Sequence, residues 1–138
     1  MRRKDSYPTS SMPNDIQVME RLELLSGHYG SIIAVTVSSR LSGVYDAFQK
    51  SAAKLREKGF QIKVIDSRLN SAAQGLLVMR TAQLIEEGRD FDSVVDAVKS
   101  ISEKTEIYVA LSTLKNVSRS GRVPKKTASI GAALGLKA

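Results

Sequence analysis

The stretch Ser31-Ile32-Ile33-Ala34-Val35-Thr36-Val37, continued by Ser38-Ser39-Arg40-Leu41-Ser42-Gly43 and then by Val44-Tyr45-Asp46-Ala47-Phe48, decides the fold. Its first part is a short, mostly apolar and β-branched run, the pattern of a strand buried on both faces. The second part is a polar turn. In the third, Val44, Ala47, Phe48, Ser51, Ala52 and Leu55 recur at i, i+3, i+4 spacing, and Gly59 stops them; this predicts an amphipathic helix. Gln61-Ile62-Lys63-Val64-Ile65 predicts the next strand. A strand, a helix and a strand in that order are the unit of a parallel sheet.

Working outward, Asn14 or Asp15 is placed to cap a helix that carries Ile16, Met19, Leu22 and Leu25 and ends near Gly27. After the second strand, a turn from Asp66 to Ser71 leads into a helix with Ala73, Leu76, Leu77, Ala82 and Leu84 expected to face inward, stopped near Gly88. Asp90 or Asp92 caps another helix, whose Val94, Val95, Val98 and Ile101 form a stripe. Glu106-Ile107-Tyr108-Val109-Ala110-Leu111 predicts a third strand. The fold class is therefore α/β, a parallel sheet of three or more strands with helices on both faces. Residues 1–138 are expected to form a single incomplete α/β lobe. Residues 1–13 are its extended lead-in, and 113–138 a basic C-terminal segment with a short helix, a loop around Gly121 to Lys126 and a small-residue helix. A narrow sheet with an interior strand needs cover, so a partner, a swapped segment or further chain is expected, and a homo-oligomer is one form of it.

Composition narrows the functional classes. With 138 residues, 42% apolar and 25% charged, the chain has an ordinary globular make-up. No apolar run approaches the ~20 residues that span a bilayer. The basic start Met1-Arg2-Arg3-Lys4 has no apolar segment behind it and does not read as a secretory signal. There is no cysteine and a single histidine, which excludes disulfides, zinc clusters and triads built on Cys or His. A cysteine-free chain suits the cytoplasm, the expected location. The net charge of +7 sits at the ends: residues 5–112 hold all 14 acids but only 12 bases, a net −2. No aromatic side chain interleaves with the C-terminal bases, which argues against nucleic acid. Neither GxxxxGK[ST] nor GxGxxG occurs, so nothing here cradles ATP or a dinucleotide, and no cofactor is expected.

In open α/β sheets ligands bind beyond the carboxyl ends of the strands. Ser38, Ser39 and Ser42 follow the first strand, Asp66, Ser67, Ser71 and Gln74 the second, and Ser112 and Thr113 the third. Hydroxyls gathered at helix N-termini, where amide N–H groups are open, suit an anion such as a carboxylate or phosphate. The plainer alternative makes Ser42, Ser71 and Thr113 simple helix caps. Thr9-Ser10-Ser11 adds a further hydroxyl cluster, and Arg122, held by Gly121, suits two-pronged contact with an anion. Asp66 is expected to anchor its turn through backbone N–H bonds. With no histidine placed to activate a serine, an enzyme is not expected.

Several of these motifs coincide, in order, with one family. Pro8-Thr9-Ser10-Ser11-Met12-Pro13 resembles the Thr-Ser-x-Pro loop of the DegV family of bacterial fatty-acid-binding proteins. Val37-Ser38-Ser39-Arg40-Leu41-Ser42-Gly43-Val44-Tyr45 is similar to its Ser-Ser-x-Leu-Ser-Gly-Thr-Tyr segment. Val64-Ile65-Asp66-Ser67 with Ser71 and Gln74-Gly75-Leu76 resembles its Val-Ile-Asp-Ser turn and Gln-Gly-Leu helix. Thr113-Leu114 with Ser120-Gly121-Arg122-Val123 resembles its Thr-Leu and Gly-Gly-Arg-Ile segment. The resemblance implies a non-enzymatic carrier that holds one long-chain fatty acid by its carboxylate and presents it to a separate fatty acid kinase. It implies ligand-binding roles for Thr9, Ser10, Ser39, Ser42 and Arg122, with no metal. It also implies two lobes with the ligand between them, of which this chain resembles the N-terminal one.

Departures from the family pattern are visible too. Members are roughly twice this length, and the opening strand and the C-terminal lobe are missing here. Val44 stands for the usual threonine, Ser112 for an aspartate and Ser120 for a glycine. The alternative function is a basic interaction or nucleic-acid-binding module that uses the C-terminal segment.

Overall fold

The computed structural model describes residues 9–110 and 118–122. The chain divides into two compact units, residues 12–107 and residues 1–11 with 108–138. In the larger unit α1 (Asp15–Ser26), β1 (Ser31–Thr36), α2 (Val44–Glu57), β2 (Gln61–Asp66), α3 (Ser71–Glu86) and α4 (Phe91–Glu103) follow in order. Its sheet is parallel, with Ser31 opposite Gln61 at one end and Thr36 opposite Asp66 at the other.

Each strand alternates between two cores, because successive side chains leave a strand on opposite faces. Ile62 and Val64, with the half-buried Ile32 and Ala34, pack against Val18 and Leu22 of α1 and Ala47, Ala52 and Leu55 of α2. Ile65, with the half-buried Ile33 and Val35, packs against Leu77 and Leu84 of α3, Val94, Val95 and Val98 of α4, and Leu69 of the intervening turn. Helices therefore cover both faces. The helix boundaries follow local chemistry. Asn14 caps α1 in a capping box with Gln17, and Asp90 caps α4 by accepting from the Ser93 N–H. Gly59 and Gly88, at φ +88° and +77°, supply the left-handed residue just beyond α2 and α3.

One sequence expectation changes, and one is met in part. Leu76 and Ala82 lie on the outer side of α3, Leu76 at 65% exposure, whereas Thr81 lies inside with Leu77 and Leu84. Thr81 is admitted because its hydroxyl donates to the Leu77 carbonyl at 2.8 Å, which satisfies the buried oxygen. Among the described residues the sheet has two strands. Among the described residues Glu106–Ala110 show no strand pairing, and Leu111 lies outside them. Beside β1 lies an apolar groove of about 460 Å³, lined by Leu22, Leu25, Val44, Phe48 and Gln74 among others. The expected helix at 127–135 and Thr113 also lie outside the described residues.

Leu55 and Leu84, each 1% exposed, serve opposite cores. Truncating either to alanine is expected to lower the unfolding free energy by about 2–5 kcal/mol. Leu76→Ala is expected to change it by about 0.5 kcal/mol or less. Urea unfolding of the three variants checks this, and a Leu76 effect as large as the other two would contradict the outward placement.

Candidate functional site

At the carboxyl end of β1 the chain turns within a few residues. The Leu41 and Ser42 N–H groups both donate to the Ser38 carbonyl, at 2.9 and 3.2 Å, and the Arg40 N–H reaches the Ser38 hydroxyl at 3.3 Å. Gly43, not Ser42, is the N-cap of α2, and no side chain caps that helix. A Cβ on Gly43 would lie 2.8 Å from the Met12 sulfur, so a larger residue there would displace the flexible, half-exposed Met12 side chain. The first bond inside α2 runs from the Ala47 N–H to the Gly43 carbonyl at 3.1 Å. The amides of Val44, Tyr45 and Asp46 precede it and point out of the helix end. The Ser42 hydroxyl makes no hydrogen bond among the described residues, and the side chain is half-buried.

The end of β2 is tied to the end of β1. The Ser67 N–H donates to the Thr36 carbonyl at 3.2 Å and the Ser38 N–H to the Leu69 carbonyl at 2.8 Å. Ser67, fully buried, exchanges hydrogen bonds with Leu69, the Leu69 N–H to its hydroxyl at 3.1 Å and its hydroxyl to the Leu69 carbonyl at 3.3 Å. From α4, the Ser102 hydroxyl donates to the Ser67 carbonyl at 2.6 Å. The turn holds two non-glycine residues in the left-handed region, Arg68 at φ +56° and Ser71 at +49°. Each costs about 1 kcal/mol or more, and the bonds around them hold the turn against that strain. Asn70 is the N-cap of α3 but makes no capping bond, and its Oδ1 is buried without a partner among the described residues. Ser42 and Ser71 are therefore not side-chain caps; α2 and α3 both begin open at the strand ends, whereas α1 and α4 are capped.

Asp66 joins the two turns. Its Oδ1 accepts the Ser39 and Arg68 N–H groups, both at 3.0 Å, and its Oδ2 accepts the Ser39 hydroxyl at 2.6 Å. Burial pushes its pKa up, but the Ser39 hydroxyl, the Arg68 and Ser39 amides and the Arg68 charge outweigh that and hold it below the ordinary 3.8. The expected backbone anchoring by Asp66 is present. The bond to the Ser39 side chain, across 27 residues of chain, has no local sequence signal.

Of the candidate ligand residues, Ser39 and Ser42 share the β1–α2 turn. Thr9 and Ser10 are exposed and belong to the smaller unit. So does Arg122, exposed beyond the tight turn at Ser118–Gly121, with its guanidinium donating to the Ser120 carbonyl at 2.7 Å. Among the described residues no group of histidine, cysteine and carboxylate side chains is arranged to hold a metal. No described helix is long and apolar enough to cross a membrane.

The family model described as "Uncharacterised protein, DegV family" matches residues 1–138. The chain belongs to the DegV family. A DegV domain-containing protein of Clostridium acetobutylicum is 33% identical over 133 residues, which cover 94% of this chain and 46% of that protein. The fatty acid binding DegV family protein of Streptococcus agalactiae has a similar structure, with a TM-score of 0.84 and 26% identity over 98% of this chain and 47% of that one. The Fatty Acid Kinase (Fak) B3 protein of Streptococcus pneumoniae, solved with linoleic acid loaded, matches with a TM-score of 0.80 and 27% identity over 91% and 44% of the two chains. The chain spans about half the length of the curated DegV relatives it matches.

Asp66 also sets a pH dependence. A carboxylate whose folded pKa lies below its unfolded value contributes stability above the unfolded value, and loses it as pH falls through the folded one. Asp66→Asn is expected to lower the urea midpoint at neutral pH. The gap to the native protein is then expected to close as the pH falls below 3.8. A gap of constant size down to about pH 3 would show that the ionised Asp66 contributes nothing.

Proposed function

We propose that this DegV chain is a non-enzymatic fatty-acid-holding module that receives the carboxylate at the carboxyl ends of its strands and presents it to a fatty acid kinase. The observation that carries this is the uncapped start of α2 beside the Ser42 hydroxyl. A helix start with open amides favours an anion, and a hydroxyl that makes no hydrogen bond among the described residues has its proton available for a carboxylate oxygen. A relative of similar fold was solved with linoleic acid loaded, which supports the same ligand class here. Against the ligand's charge stand Asp46 in the first turn of α2 and Asp66. The second is countered by the Ser39 and Arg68 donors.

Thr9, Ser10, Ser42 and Arg122 are the proposed head-group residues, with Ser39 in the same turn as Ser42. Met12, three residues from Thr9 along the chain, packs against Gly43. A cytoplasmic location and a third parallel strand from Glu106–Leu111 belong to the same proposal. The half-buried apolar side chains of β1 on both faces are the pattern of an interior strand.

Organic extraction of the purified protein followed by mass spectrometry is expected to release a long-chain fatty acid. Delipidated protein is expected to rebind oleate. Ser42→Ala, which leaves the carboxylate one hydrogen bond short, is expected to weaken that binding by about 1–3 kcal/mol, roughly 5- to 150-fold. Absence of lipid in the extract together with absence of oleate binding would overturn the proposal. Binding of DNA that weakens steeply with salt would instead favour the basic interaction module.

A further inference from the structure

Ser39 and Ser42 sit three residues apart in one turn, yet their hydroxyls are in different states. The Ser39 proton is already committed to Asp66 Oδ2 at 2.6 Å, the length of a charge-assisted bond. A hydroxyl carries one proton, and a fatty-acid carboxylate offers only acceptors. While that bond stands, Ser39 has nothing to donate to a carboxylate. The Ser42 hydroxyl carries no such bond among the described residues.

Asp66, in turn, is not an ordinary turn anchor. It closes its own turn through Arg68 and reaches across to the loop after β1 through both the amide and the hydroxyl of Ser39. We propose that Asp66 and Ser39 form a latch across the carboxyl ends of β1 and β2 that sets the Ser38–Gly43 turn for anion binding, so that Ser39 acts on the ligand through Asp66 and Ser42 supplies the contact. Both are positioning residues. The latch fixes the turn that carries Ser42 and leads into the open amides of α2, and it does so from the same carboxylate that braces the left-handed Arg68. The arrangement holds the anion site in shape before any ligand arrives, which lowers the ordering cost of binding. The proposal rests on the fatty-acid function above.

The test compares oleic acid with oleyl alcohol, which share a tail and differ in the head group. Asp66→Asn is expected to weaken oleate binding about tenfold while oleyl alcohol binding changes less than twofold. Ser39→Ala is expected to do the same, and the double variant to be no weaker than either single one, because both break one latch. A merely structural role would weaken both ligands together, and a direct Ser39 contact would make the two substitutions additive; either result overturns the latch. Amide hydrogen exchange of the unliganded proteins gives a reading that needs no ligand. Faster exchange at Ser39–Gly43 in Asp66→Asn supports the latch, and unchanged exchange there overturns it. Failure of the native protein to bind oleate would remove the fatty-acid function alone, and the exchange result would still decide whether Asp66 orders the turn.

Discussion

Parallel pairing of β1 with β2 sends both strands out of the sheet at the same end, in a register that sets Thr36 opposite Asp66. Everything of chemical interest in the larger unit follows from that. Two chain segments 27 residues apart must turn side by side, and each must start a helix from there. Backbone bonds between Ser38 and Leu69 and between Ser67 and Thr36 extend the pairing past the strands into the turns. The Ser67 bond continues the ladder by one step; the Ser38 bond then goes to Leu69 instead of Ser67, past the left-handed Arg68, so the register shifts while the two turns stay tied together.

A second consequence is electrostatic. Helices that start from paired parallel strands direct their open amides to one side, so their partial positive charges add. Evolution of a cap at α2 or α3 would fill that space with a protein oxygen, as Asn14 and Asp90 do at α1 and α4. Gly43 has no side chain to offer, and Asn70 turns its oxygen inward, where it is buried without a described partner. The strained Arg68 and Ser71 lie in the same turn. Conformational cost concentrated where hydrogen-bonding capacity is left open is the distribution expected of a binding surface.

Much of the frame was legible in the chain itself. Apolar patterning places six elements with boundaries near those observed, because α2 and α4 have one clear helical period, β2 alternates, and β1 is a short continuous β-branched run. In α3 the pattern misleads: Leu76, Val78, Met79 and Ile85 are all exposed, so apolar residues surround the helix and hydropathy alone cannot orient it. The residues that follow the strands were legible as a class, since α/β topology says where ligands collect. Their individual roles were not. Whether Ser39 or Ser42 has a proton to give depends on Asp66, which is remote in sequence and adjacent only in the fold. Gly43 reads as part of a motif, and the approach of the Met12 side chain to it is visible only in the fold.

The central claim is that an acyl carboxylate settles at the start of α2, within a turn already held by its neighbour. A titration of ¹⁵N-labelled protein with oleate, followed by amide NMR, tests it most directly. The largest shifts are expected at the amides of Ser42 to Asp46, with smaller ones at Ser67 to Ser71. Shifts centred instead on Ile16, Met19 and Lys54, which line a separate groove between α1 and α2, with the start of α2 unmoved, would contradict it.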